Sequence, residues 1–247
     1  MTLVAVLAGA LVIGSALGLL GGGGTILTVP LLHGLLGVPT PQAVAMSLPI
    51  VAIAAAAGAV VGWRRRAFAV TPTLGLAVTT ATGAYLGALV GQTLTARTQS
   101  TLLGITLAAA AVAMWRGGRN TPERPSPSAR PAPVRLALAG MGVGLVTGLV
   151  GVGGGFLIVP ALVTLGGYTL AEAVPASLFV IAVSATSGAV GYRAVPVDRG
   201  TVLAIAVTAA AGVVLGAAAG RRLAPRSLRT AFSFVLVAAA VYVFATR

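Results

Sequence analysis

The chain contains no cysteine, which excludes disulfides, thiolate nucleophiles and thiolate-bound metals. It also contains no lysine, so all sixteen basic residues are arginine. Its acidic residues number three (Glu123, Glu172 and Asp198), and His33 is its one histidine. Without a second histidine, a carboxylate pair or a metal-ligand cluster, no catalytic site, metal or cofactor is expected. A P-loop is excluded by the missing lysine. The run Gly151 to Phe156, GVGGGF, lacks the last glycine of a dinucleotide fingerprint. Charge of either sign is scarce. Charged residues make up 8% of the 247 positions, against roughly a quarter in soluble domains.

Apolar surface takes their place. Hydrophobic residues are 57% of the chain, and the mean hydropathy is +1.03. Apolar runs of about 18 residues or more recur, long enough to cross ~30 Å of hydrocarbon as helices. The fold class is therefore all-α, a polytopic integral membrane protein. The net charge of +13 is not read as a nucleic-acid signal. A nucleic-acid binder gathers its basic residues on one folded face, whereas here they sit in short clusters between apolar runs. The opening stretch MTLVAVLAGALVIGSALGLL lacks a basic n-region and is taken as a retained segment.

Five apolar segments lead the chain: Leu3 to Leu20, Thr25 to Leu36, Ala43 to Gly62, Thr71 to Leu94 and Thr101 to Trp115. Gly21 to Gly24 separate the first two. The second has about 12 residues and reaches only ~18 Å, half a bilayer. From Arg116 to Arg135 the sequence is RGGRNTPERPSPSARPAPVR, too rich in Pro, Arg and Ser to span a membrane. The domain reading is a first transmembrane repeat at 1–115, a linker at 116–135 and a second repeat at 136–247.

The second repeat is read from a shift of 130 residues, which superposes Gly18 to Gly62 on Gly148 to Tyr192 without a gap. About 20 of these 45 positions are identical. Gly21, Gly23, Gly24, Leu27, Val29 and Pro30 match Gly151, Gly153, Gly154, Leu157, Val159 and Pro160, and Ser47 matches Ser177. Near a shift of 129, a Gly-xxx-Gly ladder at Gly83, Gly87 and Gly91 meets another at Gly212, Gly216 and Gly220. These ladders, and Gly140, Gly144 and Gly148, have the spacing of helix-packing faces.

Orientation follows the arginines, which favour the cytoplasmic side. With a cytoplasmic linker and the first two segments beginning and ending on one side, the copies are inverted. Twelve arginines then lie inside and four outside. Parallel copies give eleven against five, so inversion is preferred. A cysteine placed at Ser126 is then expected to resist membrane-impermeant labelling in intact cells, and the linker to tolerate shortening.

The two glycine runs are the expected site. Glycine clusters interrupt helices. Broken backbone near the membrane midplane survives where protein or a water-filled cavity satisfies it. A helix restarting there offers N–H groups to an anion. The candidate anion-binding residues are Gly21, Gly22, Gly23, Gly24, Thr25 and Ser47 in the first half. In the second they are Gly151, Gly153, Gly154, Gly155 and Ser177. Thr25 stands where the second copy has Gly155. Ser47 and Ser177 either donate to the ligand or bond back to their own helices. Pro30 and Pro160 are expected helix kinks. Ser184, Thr186 and Ser187 form a polar stripe that the first copy lacks, and His33 is read as an interfacial or packing residue. The expected partners are a small anionic substrate and the lipid bilayer of the cytoplasmic membrane; a second copy of the chain is an admissible one. Nucleic acid is not.

The pattern Gly-x-x-Gly-x-Gly-Gly-Gly-x-x-x-x-Pro-x-Leu, from Gly148 to Leu162 and echoed from Gly18 to Leu32, resembles the sulfite-exporter family of TauE/SafE type. That family lies within the 4-toluene sulfonate uptake permease superfamily. The resemblance covers both halves and departs at Thr25. It implies a bacterial or archaeal multi-pass permease of the inner membrane that exports sulfite, an organosulfonate or a related small anion. The alternatives weighed are an uptake carrier for small carboxylates or other sulfur-containing anions, a membrane-embedded enzyme, and a non-transporting membrane partner.

Overall fold

The computed structural model describes residues 2–68, 70–116, 133–151, 154–219 and 241, and the regular structure among them is helical, with no strand. In chain order the helices are α1 (Thr2–Leu20), α2 (Thr28–Leu36), α3 (Thr40–Arg64), α4 (Val70–Gly91) and α5 (Ala96–Arg116). Beyond residues 117–132 come α6 (Pro133–Val150), which begins within the stretch expected as linker, α7 (Gly155–Thr164), α8 (Leu170–Gly191) and α9 (Arg199–Ala219). A 3-10 turn, Gly23–Leu27, joins α1 to α2. The linker core at 117–132 and the expected fifth segment of the second half, at 220–240, lie outside the described residues.

Helix ends follow local chemistry. Gly37 terminates α2 at φ 65, its N–H bonded to His33 O at 3.1 Å. Left-handed backbone of this kind favours glycine. His33 Nδ1 donates to Val38 O at 2.8 Å and so secures the loop after α2, in keeping with a packing role. Pro39 precedes α3, and Pro41 occupies its first turn, where a missing N–H removes no helical bond. At the start of α8, Thr169 N–H donates to the Glu172 carboxylate at 3.0 Å.

Asp198 opens α9. Its carboxylate accepts from the Thr201 hydroxyl, from Thr201 N at 3.2 Å and from Gly200 N at 3.1 Å. The Thr201 hydroxyl first, and then the two backbone donors, hold this carboxyl below the usual carboxylate range. A lowered pKa contributes stability above the unfolded value and loses it as pH falls through the folded one. Asp198→Ala is therefore expected to lower the unfolding temperature at neutral pH and to match wild type in acid. Thermal scans across pH check this.

Among the described residues, four helices are long and apolar enough to cross a membrane: Thr40–Arg64, Thr73–Gly91, Ala171–Gly191 and Arg199–Ala219. Their outer faces carry Ile53, Val60, Val78, Leu86, Leu203 and Val214, all exposed. Six such side chains suit hydrocarbon rather than water. The core holds small and β-branched residues, including Ala43, Val44, Ala55, Val180, Ile181 and Ala185.

The halves pack by exchange. α1 lies on α9, α6 on α4, and α3 crosses α8. At the α1–α9 seam, Gly14 meets Ala209, Gly18 meets Val213, Gly212 meets Leu11 and Gly216 meets Ser15, in each case backbone against backbone. The seam between α4 and α6 repeats this, with Gly144 on Thr80, Gly148 on Ala84, Gly83 on Met141 and Gly87 on Leu145. Residue numbers rise together along both seams, so the paired helices are parallel. In α3 and α8, Gly58 faces Leu178 while Gly188 faces Leu48, so this pair runs antiparallel. Within the described residues the glycine ladders are packing faces, as their spacing indicated, and each closes on the other half of the chain; Gly220 lies outside those residues.

Candidate functional site

Both glycine runs begin with a left-handed cap. Gly21 has φ 66, and its N–H reaches Leu17 O at 2.8 Å. Gly151 has φ 71, and its N–H reaches Thr147 O at 2.9 Å. Each cap ends its helix and leaves a carbonyl that the helix cannot satisfy, which is costly where water is excluded.

The matched serines satisfy those carbonyls across the molecule. Ser47 Oγ, on α3, donates to Gly151 O at 2.7 Å and also approaches Val44 O at 2.8 Å. Ser177 Oγ, on α8, donates to Gly21 O and approaches Val174 O at 2.7 Å. Every member of one brace is 130 positions from its counterpart in the other. Both serines are fully buried. A hydroxyl has one proton, and here each proton is directed at backbone oxygens rather than into open space. Removing either hydroxyl strands a buried carbonyl. Ser47→Ala and Ser177→Ala are each expected to cost about 1–3 kcal/mol of stability, measurable by thermal or denaturant unfolding.

The breaks themselves touch. A Cβ at Gly22, where φ is 149, would run into the Gly155 backbone, and a Cβ at Gly155 would run into Gly22 and lie 2.5 Å from Ile181 Cδ1. Gly24 and Gly154 face inward to their own halves. Gly24 packs on Ile13 and Leu17 of α1, and Gly154, at φ 58, on Val143 and Thr147 of α6. Gly23 opens the 3-10 turn. Gly153 lies outside the described residues.

In α7, the N–H groups of Leu157 and Ile158 reach Gly154 O at 3.0 and 3.2 Å. Those of Gly155 and Phe156 have no carbonyl within their own helix by helix geometry. The first half differs, because the buried Thr25 donates its hydroxyl to Gly22 O at 2.8 Å. Beside it, among α1, α2, α3 and α9, is a cavity of about 10 Å³ walled by Ile13, Leu17, Leu31 and Ile50 with Thr25 and Thr28. Thr28 is 2% exposed, and its hydroxyl has no partner among the described residues. The second half has Ile158 at that position.

Pro30 is the third residue of α2 and so lies in its first α-turn, and Pro160 is the sixth of α7. Of the polar stripe on α8, Ser187 braces Ala81 O of α4 at 2.8 Å, while Ser184 and Thr186 bond back to Ile181 O and Ala182 O. Sequence reasoning missed Gln99, which is fully buried. It also missed Thr28, whose pairing with Ile158 between the halves was the available signal.

Comparison with known proteins bears on this geometry. The family described as "Sulfite exporter TauE/SafE" matches residues 6–243. Two relatives are each called "Probable membrane transporter protein". One, from Xylella fastidiosa strain 9a5c, is 31% identical over 94% of this chain and 90% of its own length. The other, from strain Temecula1, is 30% identical with the same coverage. No solved structure matches. An all-helical chain with several bilayer-length helices, matched over nearly its whole length, belongs to the sulfite exporter TauE/SafE family of multi-pass membrane transporters.

Proposed function

We propose that this transporter moves a small anion, sulfite or an organosulfonate first, out across the cytoplasmic membrane. In this reading, residues 1–115 and 136–247 are inverted copies related by an axis in the membrane plane. The observation that carries it is the crossed pair of braces, Ser47 to Gly151 O and Ser177 to Gly21 O. Each holds one half's helix break against the other half's long helix. The antiparallel crossing of α3 and α8 supports the inversion.

Chemically, the site offers hydroxyl and backbone N–H donors with no fixed charge. Such donors suit an oxyanion that must also be released. The Gly22–Gly155 contact is the closed form. Its separation uncovers the N–H groups of Gly155 and Phe156 and lets a serine proton turn to the ligand. No intramembrane carboxylate relay is involved, because Glu172 lies exposed in the first turn of α8, Asp198 precedes α9 and Glu123 is in the linker.

A proteoliposome flux screen over sulfite, sulfonates, sulfate and small carboxylates tests the reading. Sulfite or sulfonate flux well above that of carboxylates is expected. A carboxylate-selective profile favours the uptake-carrier alternative, and absence of flux for every anion overturns the proposal.

A further inference from the structure

Three parallel helices finish together at a place that the transport reading does not use. α4 ends at Gly91, α6 at Val150 and α8 at Gly191. Their shared direction follows from the α4–α6 seam and from α8 on α4, where Ser187 reaches Ala81 O and Gly191 packs on Ala88. Helix carboxyl ends carry partial negative charge, and three side by side reinforce one another. The nearest arginines in sequence, Arg97 and Arg193, are both exposed.

Gln99, from α5, sits where these ends meet and is fully buried. Its Nε2 lies 3.3 Å from Gly91 O, 3.2 Å from Leu149 O and 2.9 Å from the Tyr192 hydroxyl oxygen. A carboxamide has two N–H protons, so three oxygens compete for two donors. On the same carbon, Oε1 is buried and has no partner among the described residues. Three oxygens thus surround the nitrogen, and a fourth, on the same carboxamide, is orphaned. The Tyr192 phenol carries no charge at neutral pH.

The geometry points to a binding site for a monovalent metal cation, formed by Gly91 O, Leu149 O, Tyr192 Oη and Gln99 Oε1. In this structure the carboxamide nitrogen stands where the cation binds, and the carboxamide turns to present its oxygen as the ion enters. All four ligands are neutral. Divalent ions of this kind are ordinarily held by carboxylates, whereas carbonyl oxygens and helix carboxyl ends serve alkali ions in membranes. The position equivalent to Tyr192 in the first half is Gly62, which offers no side-chain oxygen, so the site is single. Its placement couples it to the breaks, because Leu149 is two residues from Gly151, whose carbonyl takes the Ser47 proton. A cation here fixes the end of α6 that the second break must move.

The test uses the full chain purified in detergent without added substrate. Thermal unfolding is followed in sodium, potassium, lithium and N-methylglucamine chlorides at equal ionic strength. One alkali ion is expected to raise the midpoint by about 3 °C or more over N-methylglucamine. Tyr192→Phe keeps the ring but removes one ligand. It should raise the half-effective concentration roughly 2- to 13-fold. Gln99→Glu should lower it at least about 10-fold, because it adds a charged ligand. Equal midpoints in all four salts for wild type, or an ion effect unchanged in Tyr192→Phe, overturn the site and leave Gln99 a structural staple. If Gln99→Glu does not fold, the wild-type and Tyr192→Phe series still decides. No anion flux enters the measurement, so its failure leaves the anion reading standing.

Discussion

Gly155→Ala is expected to bring anion flux per folded transporter at least about 10-fold below wild type while leaving membrane insertion intact. Gly155 is the first residue of α7, and its φ is not among the positive ones, so alanine costs no backbone strain there. Alanine is also the better helix former. What the methyl group meets is the other half: the Gly22 backbone overlaps it and Ile181 Cδ1 lies 2.5 Å away. The halves must then stay apart at the point where the breaks close, so the closed form is lost. Flux in proteoliposomes, normalised by monodisperse yield, is the measurement. Wild-type flux would remove the Gly22–Gly155 contact from the transport cycle. Gly24→Val and Gly154→Val are less informative, because their side chains would strike α1 and α6 within their own halves and so disturb folding as well.

A larger effect on stability is expected at the seams. Gly144→Leu or Gly148→Leu places a side chain against the Thr80 or Ala84 carbonyl, with backbone on both sides and nothing flexible to move. Overpacking in a well-filled interior costs about 1–3 kcal/mol, and a rigid backbone neighbour takes it to the upper end or beyond. Folded, monodisperse yield should collapse. Gly142, two residues from Gly144 on the same helix, is the control: a Cβ there meets nothing within 4 Å. Gly142→Ala should be neutral or slightly stabilising, since glycine is the poorer helix former. Size-exclusion profiles and unfolding temperatures of the three variants decide the matter. Equal losses in Gly142→Ala and Gly144→Leu would mean that the ladder spacing carries no packing information.

Much of the helical layout was legible because its cause is local. The break after Leu20 is written in consecutive glycines, and the long spans in uninterrupted apolar runs. The half-length second segment was read as one helix. It divides into a 3-10 turn, Gly23–Leu27, and α2, with the tighter turn falling where glycines and Thr25 stand. Partners were harder to read. Ser47 and Ser177 stood out as matched hydroxyls in apolar surroundings. A hydroxyl announces a donor and not its acceptor, and the acceptors are carbonyls more than 100 residues away. Gln99 gave no signal, since its three partners include two backbone oxygens that any sequence supplies. The ladders gave a face but not its mate, because small-xxx-small spacing is the same whichever helix comes to meet it.

The exchange of helices between halves also sets a timetable for biogenesis. Gly14 of α1 closes on Ala209 of α9, roughly 195 positions later in the chain. Synthesis at about 5–20 residues per second separates the two by roughly 10–40 s. Throughout that interval the small-residue face of α1 is turned to lipid or to a chaperone, while the α4–α6 seam, some 60 residues apart, can already zip. The nascent protein is thus held half-buttoned, its first helix already seated on the turn at Gly24 but still waiting for α9, and a ribosome that stalls in the second half releases a chain whose α1 glycine face has no mate.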